Sequence, residues 1–265
     1  MGSMHHFSFG WLTPTVSYLL ACVGAALGLR CTLRALAATG TSRRNWLITA
    51  AAAIGSGIWT MHFVAMFGFT VDGSELRYDV PLTVLSLVVA VVVVGLGVFV
   101  VGYGRRRRPS LLVAGLTTGT GVAAMHYIGM AAVRIHGTLG YDPGTVGLSV
   151  LIAVGAATAA LWAAVTIRNV VAAGGAALVM GVAVSCMHYT GMAAVHVEMH
   201  PARTELAGAT PMQFVFPLAV GLGSFLFLTS AFVALSPTAQ ERAAYREAGE
   251  LAIEEADFAE LRRAA

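Results

Sequence analysis

Three short segments of this sequence place a histidine between two methionines in apolar surroundings. They read Met61-His62-Phe63-Val64-Ala65-Met66, Met125-His126-Tyr127-Ile128-Gly129-Met130 and Met187-His188-Tyr189-Thr190-Gly191-Met192. In each segment the histidine stands four residues before the second methionine. On a helix this spacing puts the imidazole and the thioether on one face, one turn apart. Because both groups are metal ligands, the repeated pattern predicts a shared metal site.

The donor types favour copper. Imidazole suits zinc, copper, iron and nickel, whereas a thioether is a good ligand for cuprous copper and a poor one for zinc. Haem is less favoured, because it needs two opposed histidines around a wide apolar slot. The first methionine of each segment is rotated off the histidine face and is expected mainly to pack. The predicted ligands are His62, His126, His188, Met66, Met130 and Met192.

A second set of histidines lies closer to the ends of the apolar runs. It consists of His5, His6, His136, His196 and His200. These residues either form a second metal site or an entry path for metal, or they are solvent-exposed loop histidines. The sequence leaves these alternatives open.

The composition is that of a membrane protein. The chain has 265 residues, of which 57% are hydrophobic and 11% charged, and its mean hydropathy is +0.78. A soluble domain of this size is much less apolar. All basic residues are arginines that cluster between apolar runs, a pattern typical of membrane topology rather than of a nucleic-acid partner.

Seven apolar runs are long enough to cross a bilayer, which takes about 20 residues. They cover roughly 12–33, 46–70, 80–102, 110–133, 145–167, 170–195 and 212–235. Most arginines fall on one side of these spans, and only Arg77, Arg134 and Arg203 fall on the other. The positive-inside rule therefore predicts a multi-pass membrane protein with its N-terminus outside and its C-terminus in the cytoplasm.

The three motifs belong to an internal repeat. Their histidines are 64 and then 62 residues apart, and Gly55, Gly119 and Gly181 each precede a motif by six residues. Small residues let transmembrane helices approach closely, so we expect tight packing of the motif helices. The predicted fold is an all-α, polytopic membrane protein with three parallel two-helix repeats and one extra N-terminal helix. The seven-helix domain is predicted over 7–236, and a short cytoplasmic tail over 237–265.

The motifs resemble the signature of the MHYT domain, and the third copy spells its name. The resemblance covers about residues 7 to 236. The first copy departs from the pattern, with Phe63, Val64 and Ala65 where the family has tyrosine, threonine and glycine. The resemblance implies a seven-span sensory module of the bacterial cytoplasmic membrane that binds copper through these histidines and methionines. It also implies sensing of a diatomic gas, such as oxygen, carbon monoxide or nitric oxide.

These inferences favour a copper-binding membrane sensor that detects a diatomic gas or a redox state. Members of the family often carry cytoplasmic signalling domains. The predicted tail is too short for one, so the signal is expected to pass to a separate cytoplasmic partner. A copper storage or delivery protein is the alternative. A membrane metal-dependent oxidoreductase ranks lower, because no acid or base accompanies the motifs in the predicted spans, and enzymatic activity is not expected.

Overall fold

The computed structural model describes residues 4–5, 8–104, 107–167, 170–201, 205–236 and 247–248. In these ranges seven helices are long and apolar enough to cross a membrane. The prediction of an all-α membrane protein with seven spans is therefore confirmed. The helices are α1 (Leu12–Ala37), α2 (Gly40–Met66), α3 (Val80–Tyr103), α4 (Arg107–Ala131), α5 (Pro143–Thr166), α6 (Val170–Ala193) and α7 (Phe216–Leu235), the last preceded by a π-helical turn (Pro211–Val215).

Helices α1 to α6 form a closed ring. Each packs against its neighbours in the sequence, and α6 packs against α1. The motif helices α2, α4 and α6 alternate with the other three around the ring and also contact one another. Residues on the inward faces of the motif helices can therefore meet near the centre.

Three short antiparallel strand pairs lie at the end of the ring where the motif helices finish, which we call the strand end. They are β1 (Met4–His5) with β2 (Thr70–Val71), β3 (Arg77–Tyr78) with β4 (Val133–Arg134), and β5 (Gly137–Tyr141) with β6 (Val195–Met199). In each pair, one strand precedes α1, α3 or α5, and the other strand follows the next motif helix, which is α2, α4 or α6. The strands thus enclose three units, each with two helices.

The prediction of three two-helix repeats is confirmed, and the strands group the helices in a second way. The sequence analysis places the motif helix first in each repeat and leaves α1 as the extra helix. The strands group α1 with α2, α3 with α4 and α5 with α6, and α7 is left outside the ring. A periodic sequence has the same period wherever its boundary is drawn, so both groupings describe the same three repeats.

The chain divides into two compact units, residues 1–230 and 231–265. In the first unit, the π-helical turn buries Val215, and α7 buries Ala219 and Leu226 along one face. In the second, the predicted tail over 237–265 lies outside the described residues apart from Glu247 and Ala248. The tail and the domain boundary at residue 236 therefore stay predictions.

Glycines bring each motif helix against the next helix of the ring. A Cβ on Gly55 of α2 would lie 2.7 Å from the backbone of Val91 on α3. Gly119 of α4 meets Val154 of α5 in the same way, and Gly181 of α6 faces Cys22 of α1. The predicted tight packing of the motif helices is confirmed.

Aspartates begin two of the helices between the motif helices. Asp79 accepts a hydrogen bond from the backbone N–H of Leu82, and Asp142 accepts one from that of Thr145. These N-caps satisfy backbone donors that have no partner within the helix. Arg134 also donates to Asp79 at 2.8 Å, which lowers the pKa of this carboxyl group. Both caps fix the start of a helix at the strand end.

Candidate metal centre

The three motif histidines meet inside the ring, near the strand end of α2, α4 and α6. His62, His126 and His188 are almost completely buried, with 1%, 0% and 1% of their surfaces exposed. They form the one group of three potential metal-binding side chains found among the described histidines, cysteines and acidic residues. The predicted convergence of the three histidines is present in the structure.

All three imidazoles present the same nitrogen to the centre. The Nδ1 atom of His62 is 3.0 Å from that of His188 and 3.2 Å from that of His126, and the third distance is 3.4 Å. The centre of this triangle lies about 1.9 Å from each nitrogen, close to the ~2.0–2.1 Å of a metal–imidazole bond. The three side chains therefore fit one metal ion on the axis of the triangle.

Hydrogen bonding alone cannot satisfy this triangle. A neutral imidazole carries one N–H and one lone pair, so each Nδ1 is either a donor or an acceptor. Around a ring of three, at least one pair must then place two donors or two acceptors opposite each other. A cation that accepts all three lone pairs removes this conflict, with the ring protons on Nε2. The arrangement thus favours a metal over a hydrogen-bonded histidine cluster.

Two motif glycines leave room for the imidazoles. A Cβ on Gly129 of α4 would lie 2.6 Å from Nε2 of His62, and one on Gly191 of α6 would lie 2.5 Å from Nε2 of His126. Neither Nε2 atom has a hydrogen-bond partner among the described residues. On its Nε2 side, each of these two rings therefore meets a glycine of the next motif helix rather than a hydrogen-bond partner among the described residues.

The motif tyrosines contact serines on the neighbouring helices. The hydroxyl groups of Tyr127 on α4 and Ser149 on α5 are 2.6 Å apart. Tyr189 on α6 lies near Ser17 on α1. Both serines are fully buried, and each donates its own hydroxyl proton to the carbonyl three residues earlier. Each serine oxygen is then free to accept a proton from tyrosine.

The first motif has Phe63 at the tyrosine position, and a different residue makes this contact. Trp59, one turn earlier on α2, donates its indole N–H to Ser86 of α3 at 2.9 Å. Ser86 is also fully buried and donates to the carbonyl of Thr83. The sequence analysis missed these serines and Trp59. A usable signal exists, because Ser86 and Ser149 each stand seven residues after the N-cap aspartate of their helix.

The six motif methionines are all buried. The proposed ligands Met66, Met130 and Met192 are 2%, 0% and 3% exposed. The three expected to pack, Met61, Met125 and Met187, are 0%, 0% and 1% exposed. Burial does not separate the two sets, and the ligand role of the second methionines stays a prediction.

The second set of histidines is spread over the first and last strand pairs and the segments beside them. His196 on β6 lies over Gly140 on β5. The backbone N–H of His200 donates to the carbonyl of His136 at 3.0 Å. His5 lies on β1 opposite Thr70, and only its backbone is described, whereas His6 lies outside the described residues. The second metal site therefore stays a prediction.

Comparisons with known proteins agree with the repeat. The model of the MHYT family, described as a bacterial signalling protein N terminal repeat, matches residues 55–114 and 119–177. Two relatives come from Pseudomonas aeruginosa: the bifunctional diguanylate cyclase/cyclic di-GMP phosphodiesterase MucR is 42% identical over 72% of this chain, and the cyclic di-GMP phosphodiesterase NbdA is 39% identical over 72%. The signaling protein YkoW of Bacillus subtilis is 29% identical over 74% of the chain.

The matched regions cover 29%, 25% and 25% of MucR, NbdA and YkoW, so the chain spans less than a third of each relative. No solved structure matches the chain. The first two histidine motifs fall inside the segments matched by the family model, and the third repeats them on α6. On the evidence of these repeats and relatives, the chain belongs to the MHYT family.

Proposed function

We propose that this protein is a copper-binding membrane sensor. The observation that carries the proposal is the triangle of three buried Nδ1 atoms contributed by His62, His126 and His188. The relatives bear the names of signalling proteins, which supports a sensory role for the shared membrane region.

The absence of charge on the three imidazole ligands favours a monovalent ion at this site. The three imidazoles are neutral ligands, and the group they form includes no acidic residue or cysteine. The cost of burying an ion in a low-dielectric interior rises with the square of its charge, so a divalent ion costs about four times as much as a monovalent one. Cuprous copper carries a single charge and accepts both imidazole and thioether ligands. It therefore suits this site better than zinc does.

The chain can convert an event at this site into helix movement. Bound copper supplies an ion that changes its oxidation state and has room for a diatomic gas such as oxygen, carbon monoxide or nitric oxide. Each histidine belongs to a different motif helix, and two of the rings lie close against Gly129 and Gly191. A change in the spacing of the imidazoles must then shift α2, α4 and α6 relative to one another. We propose that a cytoplasmic partner detects this shift.

Metal analysis tests the proposal. The full chain, purified without a histidine tag or added metal, should contain about one copper ion per chain, since three ligands form one site. Replacing any of His62, His126 and His188 by alanine should remove the copper. The control is Met125→Leu, next to His126 and equally buried, which should keep it. A protein that folds but contains zinc or no metal would refute the proposal.

Gas binding distinguishes a sensor from a storage protein. Carbon monoxide added to the reduced, copper-loaded chain should give an infrared band that the His126→Ala variant lacks. Copper-loaded protein without any response to carbon monoxide, nitric oxide, oxygen or redox potential would favour copper storage or delivery instead.

A further inference from the structure

A cavity lies beside the histidine triangle, on the side away from the strand end. Its volume is about 60 Å³, and all six ring helices contribute to its wall. Ile58, Val122 and Val184 line it, and each stands four residues before one of the three histidines. Because the motif helices run toward the strand end, the cavity begins one helical turn beneath the imidazoles.

The wall of the cavity is apolar. Apart from two threonines it consists of alanine, valine, leucine, isoleucine and methionine side chains. The hydroxyl of Thr32 donates to the carbonyl of Gly28 at 2.8 Å. The hydroxyl of Thr118 has no hydrogen-bond partner in the part of the chain that the structure describes. A buried water needs about two to four polar partners, more than this single free hydroxyl offers.

The size of the cavity selects for small occupants. One water molecule needs only about 10–15 Å³ of such space, whereas an apolar cavity of about 150 Å³ stays dry and takes up benzene or xenon. The cavity of about 60 Å³ lies between these values. It has room for a xenon atom or a diatomic molecule and excludes larger ligands.

We propose that this cavity is a binding site for small, non-polar gas molecules, held one helical turn from the metal ligands. It favours uncharged diatomic molecules over water and over ions, because it offers apolar contacts and few hydrogen bonds. The delivery of this gas to the copper rests on the proposed function. The occupancy of the cavity by an apolar gas does not rest on it.

Xenon is the probe for the cavity. The full chain in lipid nanodiscs should show saturable xenon binding by xenon NMR, in addition to the unsaturable background from the lipid. Crystals under xenon pressure should show one xenon atom between Ile58, Val122 and Val184. Absence of saturable binding, or a xenon atom only at other positions, overturns the proposal.

Two variants on α5 give a matched comparison. Ala157 lines the cavity, whereas Ala159, two residues further on, is exposed on the outer face of the same helix. Ala157→Leu fills the cavity and should abolish saturable xenon binding, and Ala159→Leu should bind xenon like the parent. If Ala157→Leu does not fold, Ala153→Val adds a smaller group at another lining position. Unchanged xenon binding in a folded filling variant contradicts the proposal.

Copper content separates this proposal from the proposed function. Ala157→Leu should keep its copper, because Ala157 lies outside the histidine triangle, but carbon monoxide should reach the copper more slowly than in the parent. A parent that binds xenon without containing copper would support the cavity and refute the copper sensor. A parent that contains copper but binds no xenon would support the copper sensor and refute the gas-binding cavity.

Discussion

Single residues determine how the imidazoles are held. Gly129 and Gly191 each belong to one motif and leave space for the histidine of the preceding motif, so that His62 lies against α4 and His126 against α6. The first motif has Ala65 at the corresponding position. The motif glycine therefore leaves space for the histidine of the preceding motif rather than for the histidine of its own motif.

Gly129→Ala and Gly191→Ala should each lower copper occupancy. The added Cβ would lie 2.6 Å from His62 or 2.5 Å from His126, well inside van der Waals contact, so the ring must move and its Nδ1 leaves the triangle. The measurement is copper per chain together with thermal unfolding of the purified protein.

Gly147→Ala is the matched control, because a Cβ at this position on α5 meets no atom within 4 Å. In a helix, alanine is favoured over glycine by about 0.5–1 kcal/mol, so the control should keep its copper and lose no stability. Full copper occupancy in both motif variants would show that the glycines do not restrain the rings.

At the scale of the helices, a buried serine ties each motif helix to the next helix of the ring. Tyr127 makes this contact from α4, Tyr189 of α6 lies near Ser17 of α1, and α2 uses Trp59, one turn earlier in the chain. The loss of the tyrosine hydroxyl at Phe63 is thus offset within the same helix. A side-chain hydrogen bond between α2 and α3 is therefore present although the first motif has no tyrosine.

Trp59→Phe should destabilise the protein, because Ser86 loses its hydrogen-bond donor and the smaller ring leaves a void. The expected loss is about 1 kcal/mol for the hydrogen bond, with a further cost for the void. Adding Phe63→Tyr should recover part of the loss, because it supplies the hydroxyl that Tyr127 presents to Ser149. Thermal unfolding of the two variants measures the effect.

Tyr127→Phe provides the comparison, since it removes the corresponding hydrogen bond on α4 without changing the size of the ring much. It should cost about as much as the hydrogen-bond part of the Trp59→Phe effect. If Phe63→Tyr restores no stability to the Trp59→Phe variant, the contact of Trp59 with Ser86 is not equivalent to the contact of Tyr127 with Ser149.

The whole molecule has two different ends. The strand end carries the three strand pairs and the Asp79–Arg134 ion pair. At the opposite end Arg43 stacks on Tyr103, with its guanidinium 4.8 Å from the ring centroid, and also hydrogen-bonds to the carbonyl of Gly102. The excess of arginines at this second end predicts that it faces the cytoplasm.

Cysteine labelling tests this orientation. A membrane-impermeant maleimide should label Glu75→Cys, an exposed position at the strand end, in intact cells. Ser42→Cys, exposed at the opposite end, should react only after the membrane is permeabilised. The parent chain is the control for labelling of the native cysteines, because Cys22 and Cys31 are buried and Cys186 is exposed but lies within the apolar helix α6. The reverse labelling pattern would mean that the strand end faces the cytoplasm.

Much of this protein follows from the sequence alone. The length and apolarity of the runs determine the seven spans, because a bilayer requires each span to be long and uncharged. The repeat places three histidines at the same depth, and the four-residue spacing orients each with a methionine. Both properties depend only on distances along the chain, and local helix geometry converts these distances into positions on a face.

Other properties depend on which helix lies beside which. The strand pairing joins α1 to α2 and leaves α7 outside the ring, although the sequence period is the same for either grouping of the helices. The ring brings three Nδ1 atoms within 3.4 Å of one another, sets Gly129 against His62, and leaves a cavity beneath the triangle. Such contacts join residues more than 60 positions apart. They arise from packing between helices, which the periodicity of each helix by itself does not specify.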